Sequence, residues 1–105
     1  MNYKAFGVGA AMPFALNVHA QKNDWWGAPH LAGHCAAVSY YLIGESQGDL
    51  KASYQKMMRL YLTQCSNLVG DAKCVQEYKL HKILVTQMKE IEFRERAQEC
   101  INAIQ

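Results

Sequence analysis

The stretch KLHKILVTQMKEIEFRERAQECINAI, from Lys79 to Ile104, decides the fold of this chain of 105 residues. It contains no glycine or proline, so helix propensity alone predicts one long helix. At about 100° per residue, however, its apolar side chains form two groups on nearly opposite sides of such a helix. The first group is Leu80, Leu84, Val85, Met88 and Ile91, and the second is Phe93, Ala97, Cys100, Ile101 and Ile104. This change of face predicts that the chain turns back between residues 85 and 92.

The cysteine positions favour the same turn. In one straight helix, Cys74 and Cys100 would lie about 39 Å apart at about 1.5 Å per residue, whereas a disulfide needs α-carbons within about 7 Å. With the turn, four helices of similar length run up-down-up-down, and all four cysteines fall at one end of the bundle. Adjacent helices in such a bundle favour pairing Cys65 with Cys74 and Cys35 with Cys100. We predict an all-α, disulfide-stapled bundle of four helices, or of three with a sharply bent last helix.

The first two helices show clearer start and stop signals. Pro29 suits the first turn of a helix, and Gly44 suits its end. Between them, four apolar residues recur on one helical face, namely Leu31, Cys35, Val38 and Leu42. The second helix is predicted to begin near Asp49, a good N-cap, and to end at Val69-Gly70.

The N-terminus resembles a secretory signal peptide. Lys4 is its one charge, and the uncharged run from Ala5 to Leu16 is shorter than the roughly 20 residues that span a bilayer. Val18 and Ala20 match the small residues that precede a signal-peptidase cleavage site. The alternative, an N-terminal helix packed on the domain, lacks a helical stripe. We expect a signal peptide over residues 1–20 and one helical domain over residues 21–105.

Export changes the expected chemistry of the cysteines. Four cysteines in a short exported chain favour two disulfides. None of them shows the close pairwise spacing that is typical of zinc ligands. The net charge of +2 is near neutral, which gives no field suited to nucleic acid. The chain also lacks phosphate-binding loops, nucleophile elbows and HExxH motifs.

Two local features are candidate sites. Trp25 and Trp26 stand in a polar lead-in before the first helix and could anchor a protein interface. Alternatively, they cover the small core. His30 and His34 are four residues apart, so they share a helical face and could bind a metal ion. Such a site needs a third ligand, from His81 or Asp24.

These observations predict a non-enzymatic, periplasmic or secreted binding protein without cofactors. Its partner is expected to be another protein, as for an inhibitor, immunity or chaperone-like protein, rather than nucleic acid, and we expect no stable membrane anchor. The alternative is a metal or small-ligand carrier that uses His30 and His34.

Overall fold

The computed structural model of the chain describes residues 28–105, which form four α-helices and, within that range, no strand. The helices are α1 (Pro29–Gly44), α2 (Gly48–Val69), α3 (Asp71–Thr86) and α4 (Glu90–Asn102). The all-α bundle of four helices is thus confirmed, including the turn between residues 85 and 92. Two predicted features lie outside the described residues: the signal peptide and the tryptophan pair Trp25 and Trp26.

A single residue joins α2 to α3. Gly70 has a φ of +88°, a left-handed conformation that glycine adopts without steric cost. Its N–H donates to the Ser66 carbonyl at 2.8 Å, and its carbonyl accepts from the Cys74 N–H at 3.0 Å. The chain therefore reverses within one residue, which places Cys65 next to Cys74.

The turn between α3 and α4 forms without glycine or proline because side chains cap the helix ends. Thr86 Oγ1 donates to the Ile83 carbonyl at 2.6 Å, in the last turn of α3. The Lys89 backbone N–H donates to Glu92 Oε1 at 2.9 Å. A Glu that accepts from the N-cap backbone three residues earlier is half of a capping box. Glu92 thus starts α4 where helix propensity alone would have continued α3.

Helix α1 is the centre of the bundle rather than one of four equivalent helices. Residues 32–39 are all buried, and α1 packs against each of the other three helices. The simple bundle that the sequence predicts has α1 and α3 on a diagonal, but here they pack directly. Gly33 permits this close approach, because its missing side chain leaves room for Glu77 of α3.

Replacing Gly33 with alanine is expected to destabilise the fold by about 1 kcal/mol. In an open helix the change would stabilise by about 1 kcal/mol. Here the new Cβ would lie 3.0 Å from the Glu77 Cβ of α3, and overpacking of this kind costs about 1–3 kcal/mol. Gly44→Ala is the control, because nothing lies within 4 Å of its added Cβ. Urea unfolding that shows Gly33→Ala as stable as Gly44→Ala would disprove the close contact.

The two apolar groups that predicted the turn behave differently. All five residues of the second group are buried in α4 and the turn that follows it. In the first group, Val85 is buried, whereas Leu80 is 50% exposed and Ile91 57% exposed. The face assigned to α3 is therefore wrong, because α3 turns Glu77 and His81 toward α1 and leaves apolar side chains outside.

Both disulfides have the predicted pairing. The α-carbons of Cys35 and Cys100 are 5.6 Å apart, and those of Cys65 and Cys74 are 5.5 Å apart. The buried Tyr61 hydroxyl donates to the Cys100 carbonyl at 2.6 Å, so α2 is also tied to the cysteine end of α4. Two disulfides indicate an oxidising compartment. Within residues 28–105, no helix has the length and apolar composition needed to cross a membrane.

Candidate functional site

A concave pocket of about 820 Å³ opens beside the C-terminal end of α1, beyond the Cys35–Cys100 disulfide. We call it the tyrosine pocket. Its aromatic and apolar lining comes from three helices and includes Tyr40, Tyr41, Ile43, Met58 and Val85. Pockets of this size with a mostly apolar lining are typical of binding sites.

Contacts between helices hold the tyrosine pocket in shape. The rings of Tyr40 and Tyr41 meet edge to face, with centroids 5.0 Å apart and an interplanar angle of 88°. The Tyr41 hydroxyl donates to the Lys82 carbonyl of α3 at 3.0 Å. The Tyr78 hydroxyl of α3 lies 3.9 Å from the Met58 sulfur of α2. Burial first, and then Tyr40 and Tyr41, raise the pKa of Tyr78, so its hydroxyl remains a neutral donor.

One wall of the pocket remains accessible. Tyr40 is 43% exposed, and the Lys82 ammonium lies 4.1 Å from the centre of its ring. That cation–π contact fixes the ring without covering it. The pocket can thus receive an apolar group against a rigid aromatic wall, next to a positive charge.

In the helices of this sequence, tyrosine and methionine side chains are most readily assigned to the core, an assignment that misses this pocket. The assignment is correct for Tyr54, Met57 and Tyr61, which are buried. A signal was nevertheless present at Tyr40 and Tyr41. Adjacent helical residues point about 100° apart, so at a helix end both rings seldom enter the same core.

A second cluster is the histidine chain, which runs Arg96, His34, His81, Glu77 across three helices. Arg96 Nη1 lies 2.8 Å from His34 Nε2. His34 Nδ1 lies 2.9 Å from His81 Nδ1, and His81 Nε2 lies 3.6 Å from Glu77 Oε1. Because a guanidinium only donates, His34 accepts at Nε2 and donates from Nδ1 to His81. His81 then carries its proton on Nε2, toward the Glu77 carboxylate.

The surroundings keep His34 neutral. Its pKa is lowered to about 3, mainly by burial and then by the nearby Arg96, His81 and His30. Burial also lowers the pKa of His81, although the Glu77 carboxylate opposes that shift. A neutral histidine pair, with His34 buried and His81 partly buried, thus links α1 to both α3 and α4.

The geometry gives no support to the metal site predicted at His30 and His34. His30 is exposed, whereas His34 is buried in the histidine chain. With Nε2 accepting from Arg96 and Nδ1 protonated, His34 has no lone pair for a metal ion. In the described part of the chain, no group of three or more candidate ligands is placed to hold a metal. Asp24 lies outside that part, as do the proposed binding residues Trp25 and Trp26.

Comparison with known proteins returned no match. No family model fits the chain, and neither curated proteins nor solved structures show significant similarity to it. Any function therefore has to be argued from the chain's own residues.

Proposed function

We propose that this protein is a small exported binding protein that acts through protein–protein contact, with the tyrosine pocket as its anchor site. The observation that carries the proposal is the rigid, partly exposed aromatic wall that Tyr40 and Tyr41 form beside Met58. Tyrosine and methionine are enriched in protein interfaces, and a pocket that fits one apolar anchor concentrates binding energy. The two disulfides support the exported setting.

The charged residues around the tyrosine pocket indicate which side chains the partner presents to it. An apolar side chain fits the pocket, and a carboxylate placed over the Tyr40 ring would approach the Lys82 ammonium. A carboxylate near Glu45, the charged residue of the pocket lining, would be repelled. Opposite charges across an interface set orientation and partner choice more than affinity. We therefore propose a partner with an apolar anchor residue next to Asp or Glu.

Tyr40→Ala is expected to weaken binding of the partner about 30-fold, the effect of losing an interface residue worth about 2 kcal/mol. The partner is first captured from periplasmic extract on immobilised protein and identified by mass spectrometry. It is then purified, and its affinity for each variant is measured by calorimetry.

Leu68→Ala is the matched control. Leu68 is a large apolar residue of α2, 39% exposed, outside the pocket, and its removal should leave the affinity unchanged. Equal affinity for Tyr40→Ala and the native protein would refute the pocket as the anchor site. Loss of binding in Trp25→Ala or Trp26→Ala alone would move the anchor to the tryptophan pair.

A further inference from the structure

Apolar side chains lie exposed on the side of α3 and α4 that faces away from α1. They are Leu80, Ile83 and Leu84 of α3 and Ile91 of α4. Three of these four large residues belong to α3, and the fourth follows in the first turn of α4. A concentration of exposed apolar residues commonly marks an interaction surface.

The two helices carry opposite charges around these residues. Helix α3 exposes Lys73 and Lys79 on this side. Between α3 and α4 lies a groove of about 750 Å³, whose α4 wall is acidic. Its lining includes His34 of α1, the apolar Leu84 and Met88, and, on α4, the guanidinium of Arg96 together with the carboxylates of Glu92, Glu95 and Glu99. We call this surface, formed by the outer sides of α3 and α4, the α3–α4 face.

The opposite charges lie at similar distances from the turn. Arg96 of α4 and His81 of α3 both contact His34, so α4 doubles back toward α3 beyond the turn. At about 1.5 Å per residue, Lys79 lies about 10 Å before the turn and Glu95 about 8 Å after it. A two-fold axis parallel to the helices would therefore place Lys79 of one copy opposite Glu95 of the other.

We propose that the α3–α4 face binds a second copy of this chain to form a symmetric dimer. In the dimer, α3 of each protomer packs on α4 of its partner, and the exposed apolar residues meet near the axis. A two-fold interface is self-complementary, so the contact of Lys79 with Glu95 occurs twice. Lys79 and Ile83 of this face lie near Tyr41 and Thr86 of the tyrosine pocket. The charges of the Lys79–Glu95 contact lie outside the pocket lining, so the dimer does not depend on the proposed function.

Charge complementarity selects the second copy over another partner. A partner for α3 needs apolar residues bordered by carboxylates, and α4 of the same chain has Ile91 beside Glu92 and Glu95. A partner for α4 needs apolar residues bordered by lysines, which α3 provides. The α3–α4 face of a second copy of the chain meets both requirements.

A charge-swap experiment tests the dimer. Sedimentation velocity of the native protein at low salt should show a concentration-dependent species of twice the monomer mass. Lys79→Glu alone and Glu95→Lys alone should each weaken dimerisation more than tenfold, because each places two like-charge pairs in the interface. An equimolar mixture of the two variants should form a heterodimer with nearly native affinity, since both pairs are then opposite in charge.

Lys56→Glu on α2 is the matched control and should dimerise normally. Circular dichroism melts check that every variant is folded, and Leu84→Gln provides a further variant that should weaken the dimer without changing a charge. The proposal is overturned if the native protein remains monomeric up to about 1 mM. It is also overturned if the chain's own N-terminal segment proves to cover the face. A dimer that is indifferent to Lys79→Glu, or a mixture that fails to associate, overturns it as well.

Discussion

Replacing Cys35 and Cys100 together with alanine is expected to lower the free energy of unfolding by about 4 kcal/mol. The pair is separated by 65 residues, and a disulfide that closes so long a loop strongly restricts the unfolded chain. Folded domains are stable by about 5–15 kcal/mol in total. The loss therefore amounts to much of the stability of a domain of this size. Urea unfolding followed by circular dichroism measures it directly.

The other disulfide provides the control. Cys65 and Cys74 are nine residues apart, so alanine at both positions should cost about 3 kcal/mol, clearly less than the long-range pair. Intact protein should also weigh about 4 Da less than its fully reduced form, two hydrogens for each bond. Equal losses from the two double variants would contradict the loop argument, and a mass with four free thiols would contradict both bonds.

Acid should destabilise the protein through the histidine chain. The pKa of His34 is about 3 in the folded protein instead of its ordinary 6.5, so below pH 6.5 the unfolded chain takes up a proton that the folded chain excludes. The free energy of unfolding then falls by about 1.4 kcal/mol for each pH unit until about pH 3. At pH 4.5 the loss from His34 alone is about 3 kcal/mol. The lowered pKa of His81 acts in the same direction.

His34→Gln separates this effect from the protonation of carboxylates. A glutamine can accept from Arg96 and donate to His81, but it does not titrate. Its acid slope should therefore be shallower by about 1.4 kcal/mol per pH unit, measured as the urea midpoint between pH 7 and pH 4. His30→Gln, on the exposed first turn of α1, removes only the smallest of the causes that lower the pKa of His34, so it should keep nearly the native slope. An unchanged slope in His34→Gln would remove His34 as the origin of acid sensitivity.

Much of the fold follows from local sequence signals. The glycine at position 70, the proline at position 29 and the cysteine spacing predicted the helix order and both disulfides correctly. The apolar group of Phe93 and Ile101 was also placed correctly, because α4 packs by one face. The chain turns at the predicted place although α3 buries a different face from the one assigned to it. Periodicity considers only apolar residues, whereas α3 turns the polar, partly buried His81 toward α1 and leaves Leu80 outside.

The candidate site was much less predictable. The sequence pattern joined His30 to His34, since residues four apart share a helical face. The actual partners of His34 come from α3 and α4, 47 and 62 positions away. Such pairings depend on how α1 packs, and Gly33 lets α3 lie directly against α1. The tyrosine pocket likewise exists because three helix surfaces meet, which no single stretch of sequence encodes.

The two disulfides are nested, and this has a consequence for proteolysis. The loop closed by Cys65 and Cys74 lies entirely within the loop closed by Cys35 and Cys100. A protease that cuts any one peptide bond between Cys35 and Cys100 therefore leaves both fragments covalently joined. One cleavage therefore does not release a fragment. Because the two fragments stay linked, the nicked product can re-form its helices. In an oxidising compartment that contains proteases, only a second cut or reduction would separate the chain.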